Sequence, residues 1–307
     1  MPFRLTILGS SSAIPVFDRM PTAQVLQSGE SLSLIDCGEG TQVQLRKFGI
    51  RMQRIQNIFI SHLHGDHFFG LVGLLSTLNL LGRTKGLTVY ADPRLEGIVM
   101  EQMAVTETEL HFPLRFVPLP EGFRGVIHED KRTIVEAFPV SHRIPTFGFL
   151  FRERPRLRKV LAEKLSGVEV PVEAWDRIRA GEDFTDASGR VFPNAYITQP
   201  PPPPRSYAFV TDTLYDPSLT AFVHGADLLY HEATFLHEME EVAREKFHAT
   251  AHQAGLFARD AGVRQLLIGH FSARYRDLQP LLEEARAVFP FTQVGTEGTV
   301  IDIDRIG

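Results

Sequence analysis

Asn57-Ile58-Phe59-Ile60-Ser61-His62-Leu63-His64-Gly65-Asp66-His67-Phe68 decides how the rest of the chain is read. The apolar run Asn57 to Ile60 predicts a short buried strand, and Phe68 to Leu80 predicts a helix. Between them lies a loop dense in ligand-type side chains. His62 and His64 are two residues apart, so in an extended segment both rings point the same way. Asp66 and His67 fall at the helix start and offer an oxygen and a nitrogen in another direction. Four ligands in six residues serve two neighbouring metals better than one. Imidazole with carboxylate suits zinc, and manganese or iron is also compatible. The competing reading is a polar turn with clustered histidines.

Two metals need further ligands, and strand ends are where α/β folds place them. His142 follows a strand read at Thr133 to Phe138, Asp212 follows Ser206 to Val210, and His270 follows Gln265 to Ile268. Each alone reads equally as an ordinary loop residue; together they complete a ligand set. The flanking chain alternates strand and helix. Strands are read at Arg4 to Leu8, Ser31 to Ile35, Leu87 to Tyr90, Leu114 to Val117, Phe147 to Phe151, Asp227 to Tyr230 and Thr299 to Ile303. Helices are read at Gly40 to Phe48, Pro93 to Ala104, Ala251 to Ala261 and Asp277 to Phe289. The pattern degrades from about Arg152 to Arg205, ending in the extended run Pro200 to Pro204. The reading is two α/β halves with an insertion between them.

Composition sets outer bounds. The 307 residues are 43% hydrophobic and 22% charged, enough to bury a full core. The single cysteine, Cys37, excludes an internal disulfide framework and a thiolate-rich zinc site. The balance of 32 basic against 37 acidic residues excludes a uniformly basic nucleic-acid coat. The longest apolar stretch, Phe68 to Leu81, is broken by Gly70, Gly73, Ser76, Thr77 and Asn79, so no membrane span is expected. The first residues read as a strand rather than a signal peptide, and the expectation is a soluble cytoplasmic protein. Within Arg152 to Lys164, Arg152, Arg154, Arg156, Arg158, Lys159 and Lys164 face only Glu153 and Glu163, a local excess that suits phosphate contacts. A solvated charged helix is the plainer alternative.

The order HxHxDH, then His, Asp and His resembles the metallo-β-lactamase superfamily. The finer likeness is to the tRNase Z family, which processes tRNA 3′ ends. Leu8 to Pro15, the segment Ile35-Asp36-Cys37-Gly38-Glu39-Gly40-Thr41-Gln42, His231-Glu232-Ala233-Thr234-Phe235, His248-Ala249-Thr250 and His270-Phe271-Ser272-Ala273-Arg274-Tyr275 carry it along nearly the whole chain. The resemblance implies a single αββα sandwich domain over 1–307 with an inserted arm at 152–205 that binds tRNA outside the active site. It implies that His62, His64 and His142 hold one zinc, that Asp66, His67 and His270 hold the other, and that Asp212 bridges. Asp66 would also steer the attacking water. The arm departs from the family pattern, because its usual Gly-Pro-rich tip is missing and Val168 to Arg179 stands in its place.

Phosphodiester hydrolysis also needs an acid for the leaving oxygen. His248, held by Glu232, is the candidate. Arg274, four residues after His270, is a candidate phosphate grip, as are Arg154, Arg156, Arg158 and Lys159 of the arm. The implied activity is endonucleolytic removal of the 3′ trailer from precursor tRNA by a zinc-dependent homodimer. A hydrolase of small carboxylic or sulfate esters on the same metal scaffold is one rival, and a non-catalytic nucleic-acid-binding module is another.

Overall fold

The computed structural model describes residues 2–16 and 18–306. Two compact units emerge: Met1–Arg152 with Arg205–Gly307, and the inserted Glu153–Pro204. In the larger unit the chain runs through β1 (Phe3–Gly9), β2 (Ala23–Ser28), β3 (Ser31–Ile35), helix α1 (Thr41–Lys47), β4 (Ile55–Phe59), α2 (Gly65–Phe68), α3 (Leu71–Leu80), β5 (Leu87–Ala91), α4 (Arg94–Val105) and β6 (Leu114–Pro118). Next come β7 (Gly125–Glu129), β8 (Thr133–Val140) and β9 (Thr146–Glu153). The inserted unit contributes β10 (Lys159–Val160), α5 (Val172–Ala180), β11 (Phe184–Thr185), β12 (Val191–Phe192), α6 (Asn194–Ile197) and β13 (Thr198–Gln199). The larger unit resumes with β14 (Ser206–Val210), α7 (Thr220–Val223), β15 (Leu228–Glu232), α8 (Glu240–Lys246), α9 (Ala251–Ala261), β16 (Gln265–Gly269), α10 (Gln279–Val288), β17 (Thr292–Val294) and β18 (Val300–Asp302).

Two seven-stranded sheets result, ordered β18-β1-β2-β3-β4-β5-β6 and β17-β16-β15-β14-β9-β8-β7. Side-chain alternation along the strands makes three apolar layers. Phe3, Leu5, Ile35, Phe59, Phe149, Tyr207, Phe209 and Leu267 form one core. Their immediate neighbours point the other way: Leu34 and Ile58 pack with Leu71, Leu75, Leu95 and Val99 of the helices. Val210, Leu266 and Ile268 do the same with Ala254, Phe257 and Leu281. The order helix, sheet, sheet, helix is the metallo-β-lactamase fold expected from the sequence.

The parallel strands position the chemistry. β3, β4, β5 and β6 run parallel in one sheet, and β14, β15, β16 and β17 in the other. The residues just past the C-terminal ends of β3, β4, β14 and β16 are Asp36, the Ser61–His67 loop, Asp212 and His270.

Two expectations need correction. The helix read from Phe68 to Leu80 is two helices, with the break at Phe69 and Gly70. Gly70 donates its N–H to the Cys37 carbonyl at 2.9 Å. A Cβ there would fall 2.1 Å from the Gly38 carbonyl oxygen, so the chain is held against the β3 turn and changes direction. The stretch that looked patternless, 153–204, has its own small core of Leu165, Ile178, Phe184, Phe192 and Ile197, with Trp175 packed on it. Its basic cluster does not share one helix: Arg152 lies in β9, Arg154, Arg156 and Arg158 precede β10, Lys159 opens it, and Lys164 lies in a single 3-10 turn at Ala162–Leu165.

Candidate metal centre and catalytic cleft

His62, His64, His142 and Asp212 bring one ligand atom each to a common point, and Asp66, His67 and His270 do so at a second. Asp212 divides its carboxylate between them. Its Oδ2 lies 3.6 Å from His62 Nε2 and 3.8 Å from His142 Nε2. Its Oδ1 lies 3.4 Å from His67 Nε2 and 3.2 Å from His270 Nε2. Asp66 Oδ2 lies 3.4 Å from His67 Nε2 and 3.5 Å from His270 Nε2. All but the 3.2 Å contact are long for hydrogen bonds, and among the described residues the buried Nε2 atoms of His67 and His270 have no hydrogen-bond partner. They fit cations instead. Two bonds of about 2.0–2.1 Å meeting at a tetrahedral angle hold their outer atoms roughly 3.4 Å apart. The residues present therefore suit a dinuclear metal site.

Other groups hold four of the rings through Nδ1 and leave Nε2 facing the ligand cluster, where the Nε2 atoms of His62 and His142 lie 3.0 and 3.2 Å from His64 Nδ1. Asp36 Oδ2 is 2.7 Å from His67 Nδ1, and its carboxylate also accepts from the Ser61 N–H at 2.7 Å and the Ser61 hydroxyl at 2.9 Å. Ser61 Oγ lies 3.0 Å from His62 Nδ1. His142 Nδ1 is 3.0 Å from the Phe247 carbonyl, and His270 Nδ1 is 3.0 Å from Thr234 Oγ1. Such partners set the tautomer and the ring plane of a ligating histidine. Asp36, Asp212, Phe247 and His270 all have left-handed φ, between 46° and 61°, unusual for residues with a Cβ. Backbone strain of this kind gathers where geometry is constrained by function.

The electrostatics agree with cation binding. Burial pushes the His62, His64 and His142 rings toward the neutral form that a metal requires. Burial would do the same to His67, but Asp212, Asp66 and Asp36 outweigh it and hold that ring well above its ordinary value. Burial would likewise raise the Asp212 carboxyl, yet His270, His67 and His62 keep it well below the usual carboxylate range. The pocket is thus built for positive charge.

His248 stands beside these groups and lines the same cleft of about 640 Å³. Its Nδ1 is 3.1 Å from both oxygens of Glu232. Glu232 is buried and also accepts from the Thr213 N–H at 2.6 Å and from the Thr234 hydroxyl. Burial alone would lower the His248 pKa, but the Glu232 carboxylate lifts it to about 9. His248 is also within ligand range of Asp212 and His270. The Glu232 carboxylate pairs with Nδ1 and favours the charged ring, which suits a proton donor.

Arg274 is placed differently from the expectation. His270 follows the last residue of β16 and the chain turns after it, so spacing by four carries no helical meaning. Arg274 lies over the Phe235 ring at 5.0 Å, is exposed, and is not among the cleft-lining residues. Arg143 and Lys246 line the cleft, although neither stands in a motif that marks it in the sequence. In the inserted unit, Arg156 and Lys159 are exposed, while Arg154 and Arg158 are half-buried. Arg158 donates to Thr198 Oγ1 at 2.7 Å, and Arg156 pairs with Glu153 at 3.1 Å. Asp36, Ser61 and Thr234 are the supporting residues that sequence reasoning left without a role. Asp36 carried a usable signal, a carboxylate closing an apolar strand just as Asp212 does.

Comparison with known proteins gives a consistent result. The chain is 43% identical over 304 residues to a ribonuclease Z of Phocaeicola vulgatus, covering 99% of this chain and 98% of that one. The crystal structure of human tRNase Z, short form, superposes with a TM-score of 0.72 at 27% identity, covering 98% of this chain and 99% of that one. The metallo-β-lactamase fold protein YhfI of Bacillus subtilis shares the fold, with a TM-score of 0.68 at 18% identity, covering 98% of this chain and 99% of that one. A family model described as anti-Pycsar protein Apyc1 matches residues 3–104, which include the HxHxDH loop but none of His142, Asp212, His248 or His270.

Proposed function

The chain belongs to the ribonuclease Z family, and from that premise we propose how its own residues carry out tRNA 3′ processing. The reaction removes the 3′ trailer from precursor tRNA. It leaves a 3′-hydroxyl on the tRNA and a 5′-phosphate on the trailer. The observation that carries the reading is the division of one carboxylate, Asp212, between two clusters of ligand atoms spaced for cations.

In this reading His62, His64 and His142 would hold one ion, Asp66, His67 and His270 would hold the other, and Asp212 would serve both. Zinc suits a donor set of imidazole and carboxylate with no thiolate. Two divalent ions, when bound, neutralise phosphodiester charge and make water a competent nucleophile at neutral pH. The protein's part is orientation and proton transfer. Asp66 accepts the Ala13 N–H at 2.7 Å through Oδ2, which fixes its carboxylate for orienting the attacking water. His248 protonates the departing 3′ oxygen of the tRNA. Glu232 keeps that imidazole charged and turned so that Nε2 is the donor, as a buried carboxylate does for a catalytic histidine elsewhere. Arg143 and Lys246 supply positive charge along the cleft.

The basic cluster of the inserted unit, Arg154, Arg156, Arg158 and Lys159, is assigned to backbone phosphates of the folded tRNA, away from the scissile bond. Arg274 is assigned to a phosphate at the approach to the cleft. The family suggests a homodimer in the cytoplasm, where light scattering of the purified protein would report two chains. The substrate assignment is tested by offering the metal-loaded protein a 3′-extended tRNA beside small carboxylic and sulfate esters. Turnover of the tRNA at rates far above the esters supports it. Efficient ester hydrolysis with intact tRNA would overturn it.

A further inference from the structure

Phe69 is two-thirds exposed, at 67%, although it directly follows the helix that carries Asp66 and His67. A large aromatic ring in that position has a cause in Gly65. A Cβ on Gly65 would lie 2.2 Å from Phe69 Cε2 and 2.6 Å from both neighbouring ring carbons. Those three distances place it over the face of the ring rather than beyond its edge. The ring therefore lies with one face over Gly65, between the ligand residues His64 and Asp66, meets the Phe68 ring edge-to-face at 5.0 Å between centroids, and stays two-thirds exposed. Glycine at 65 is needed for that close approach.

Beside the ligand residues and Glu39, the cleft around Phe69 has apolar and cationic groups. Ile14, 54% exposed, and Pro15 line the same cleft as Phe69 and add apolar surface. Arg143 and Lys246 line it as well and add positive charge. An apolar platform beside cationic groups matches one nucleotide, with its flat base and its charged phosphate. We propose that Phe69 is a stacking platform for the base of a nucleotide adjoining the scissile phosphate. Stacking holds the RNA end so that the phosphodiester reaches the metal ligands and His248. Every base has a π face, so this positioning works on trailers of differing sequence. The inference rests on the RNA reading given above and adds a positioning residue to it.

The test combines Phe69 variants with abasic substrates. Phe69→Leu keeps an apolar side chain and removes the ring, and Phe69→Trp keeps the stacking face. On a 3′-extended tRNA, Phe69→Leu should lower kcat/KM by roughly ten- to a hundredfold, the range expected for one stacked base, while Phe69→Trp stays near the parent. Metal content should be unchanged in both. Placing an abasic residue in turn at each of the two positions flanking the cut should lower the parent's rate at one of them. Phe69→Leu should lose nothing further on that substrate. Additive losses on the abasic substrate would overturn the proposal, as would a Phe69→Leu rate equal to the parent's on the normal one. A change in oligomeric state at parental kcat/KM would make Phe69 an interface residue and equally overturn it. If the parent itself leaves 3′-extended tRNA uncut, the RNA reading fails instead, a result distinct from all of these.

Discussion

Asp212 bears the heaviest demand of any single side chain, because each of its oxygens faces a different set of histidines. Replacing it with alanine should abolish turnover and lower the content of both metals. His64→Ala removes a ligand from one set only, so activity should fall by orders of magnitude with metal lost chiefly from that set. Elemental analysis beside a pre-tRNA assay checks both variants, and full metal retention with near-normal turnover contradicts the ligand roles. His248 predicts a different signature. His248→Ala should slow cleavage of pre-tRNA by roughly 10²–10⁴-fold with metal intact. A nitrophenyl phosphodiester has a good leaving group and should lose far less; equal losses on the two substrates would remove His248 from the acid role. Much at this scale was legible in the sequence, since side chains crowded as closely as His62, His64, Asp66 and His67 rarely gather except around a metal. Asp36 was not assigned, because its partner His67 is 31 residues away and only the paired ends of β3 and β4 bring them together.

Elements are set where strand ends meet helices, and the joint between β3 and α1 shows the principle. Asp36 takes a left-handed φ, Cys37 is wholly buried, and the Cys37 N–H donates to the His67 carbonyl at 2.7 Å. Burial pushes the Cys37 thiol from about 9 up to about 12. In the unfolded chain the thiol ionises as pH passes about 9, while in the folded chain it stays neutral. The joint therefore costs no stability below that pH and loses stability progressively as pH rises toward 12. Alkylation by iodoacetamide should be slow in the native protein at both pH 7 and pH 9, and fast at pH 9 in denaturant. Native labelling that rises with pH like an open thiol would contradict it. The apolar strands β3, β4, β14 and β16 were legible because strong alternating or continuous apolar runs end in ligands. The break between α2 and α3 was not, since it comes from Gly70 meeting Gly38 across the fold. The elements of 153–204 were also missed. Its strands are two residues long and its core has five buried apolar side chains, too few for a periodic signal.

At the scale of the whole molecule, the chemistry lies in the unit of Met1–Arg152 with Arg205–Gly307, and the proposed tRNA grip lies in Glu153–Pro204. That separation predicts that binding and chemistry can be uncoupled. Neutralising Arg154, Arg156, Arg158 and Lys159 together should raise KM for pre-tRNA and flatten its salt dependence. Hydrolysis of a small phosphodiester should stay close to the parent rate. Arg158 also holds Thr198, so circular dichroism should accompany the comparison to confirm that the variant is folded. Unchanged pre-tRNA kinetics across several salt concentrations would exclude these residues as the grip. The most direct measurement of the central claim is end-mapping after incubation with a 3′-extended tRNA transcript. The account predicts one cut at the trailer junction, a 3′-hydroxyl on the tRNA, a 5′-phosphate on the trailer, and no products once the metals are chelated. A 3′-phosphate on the tRNA, stepwise shortening from the trailer end, or cleavage that persists without metal would contradict it.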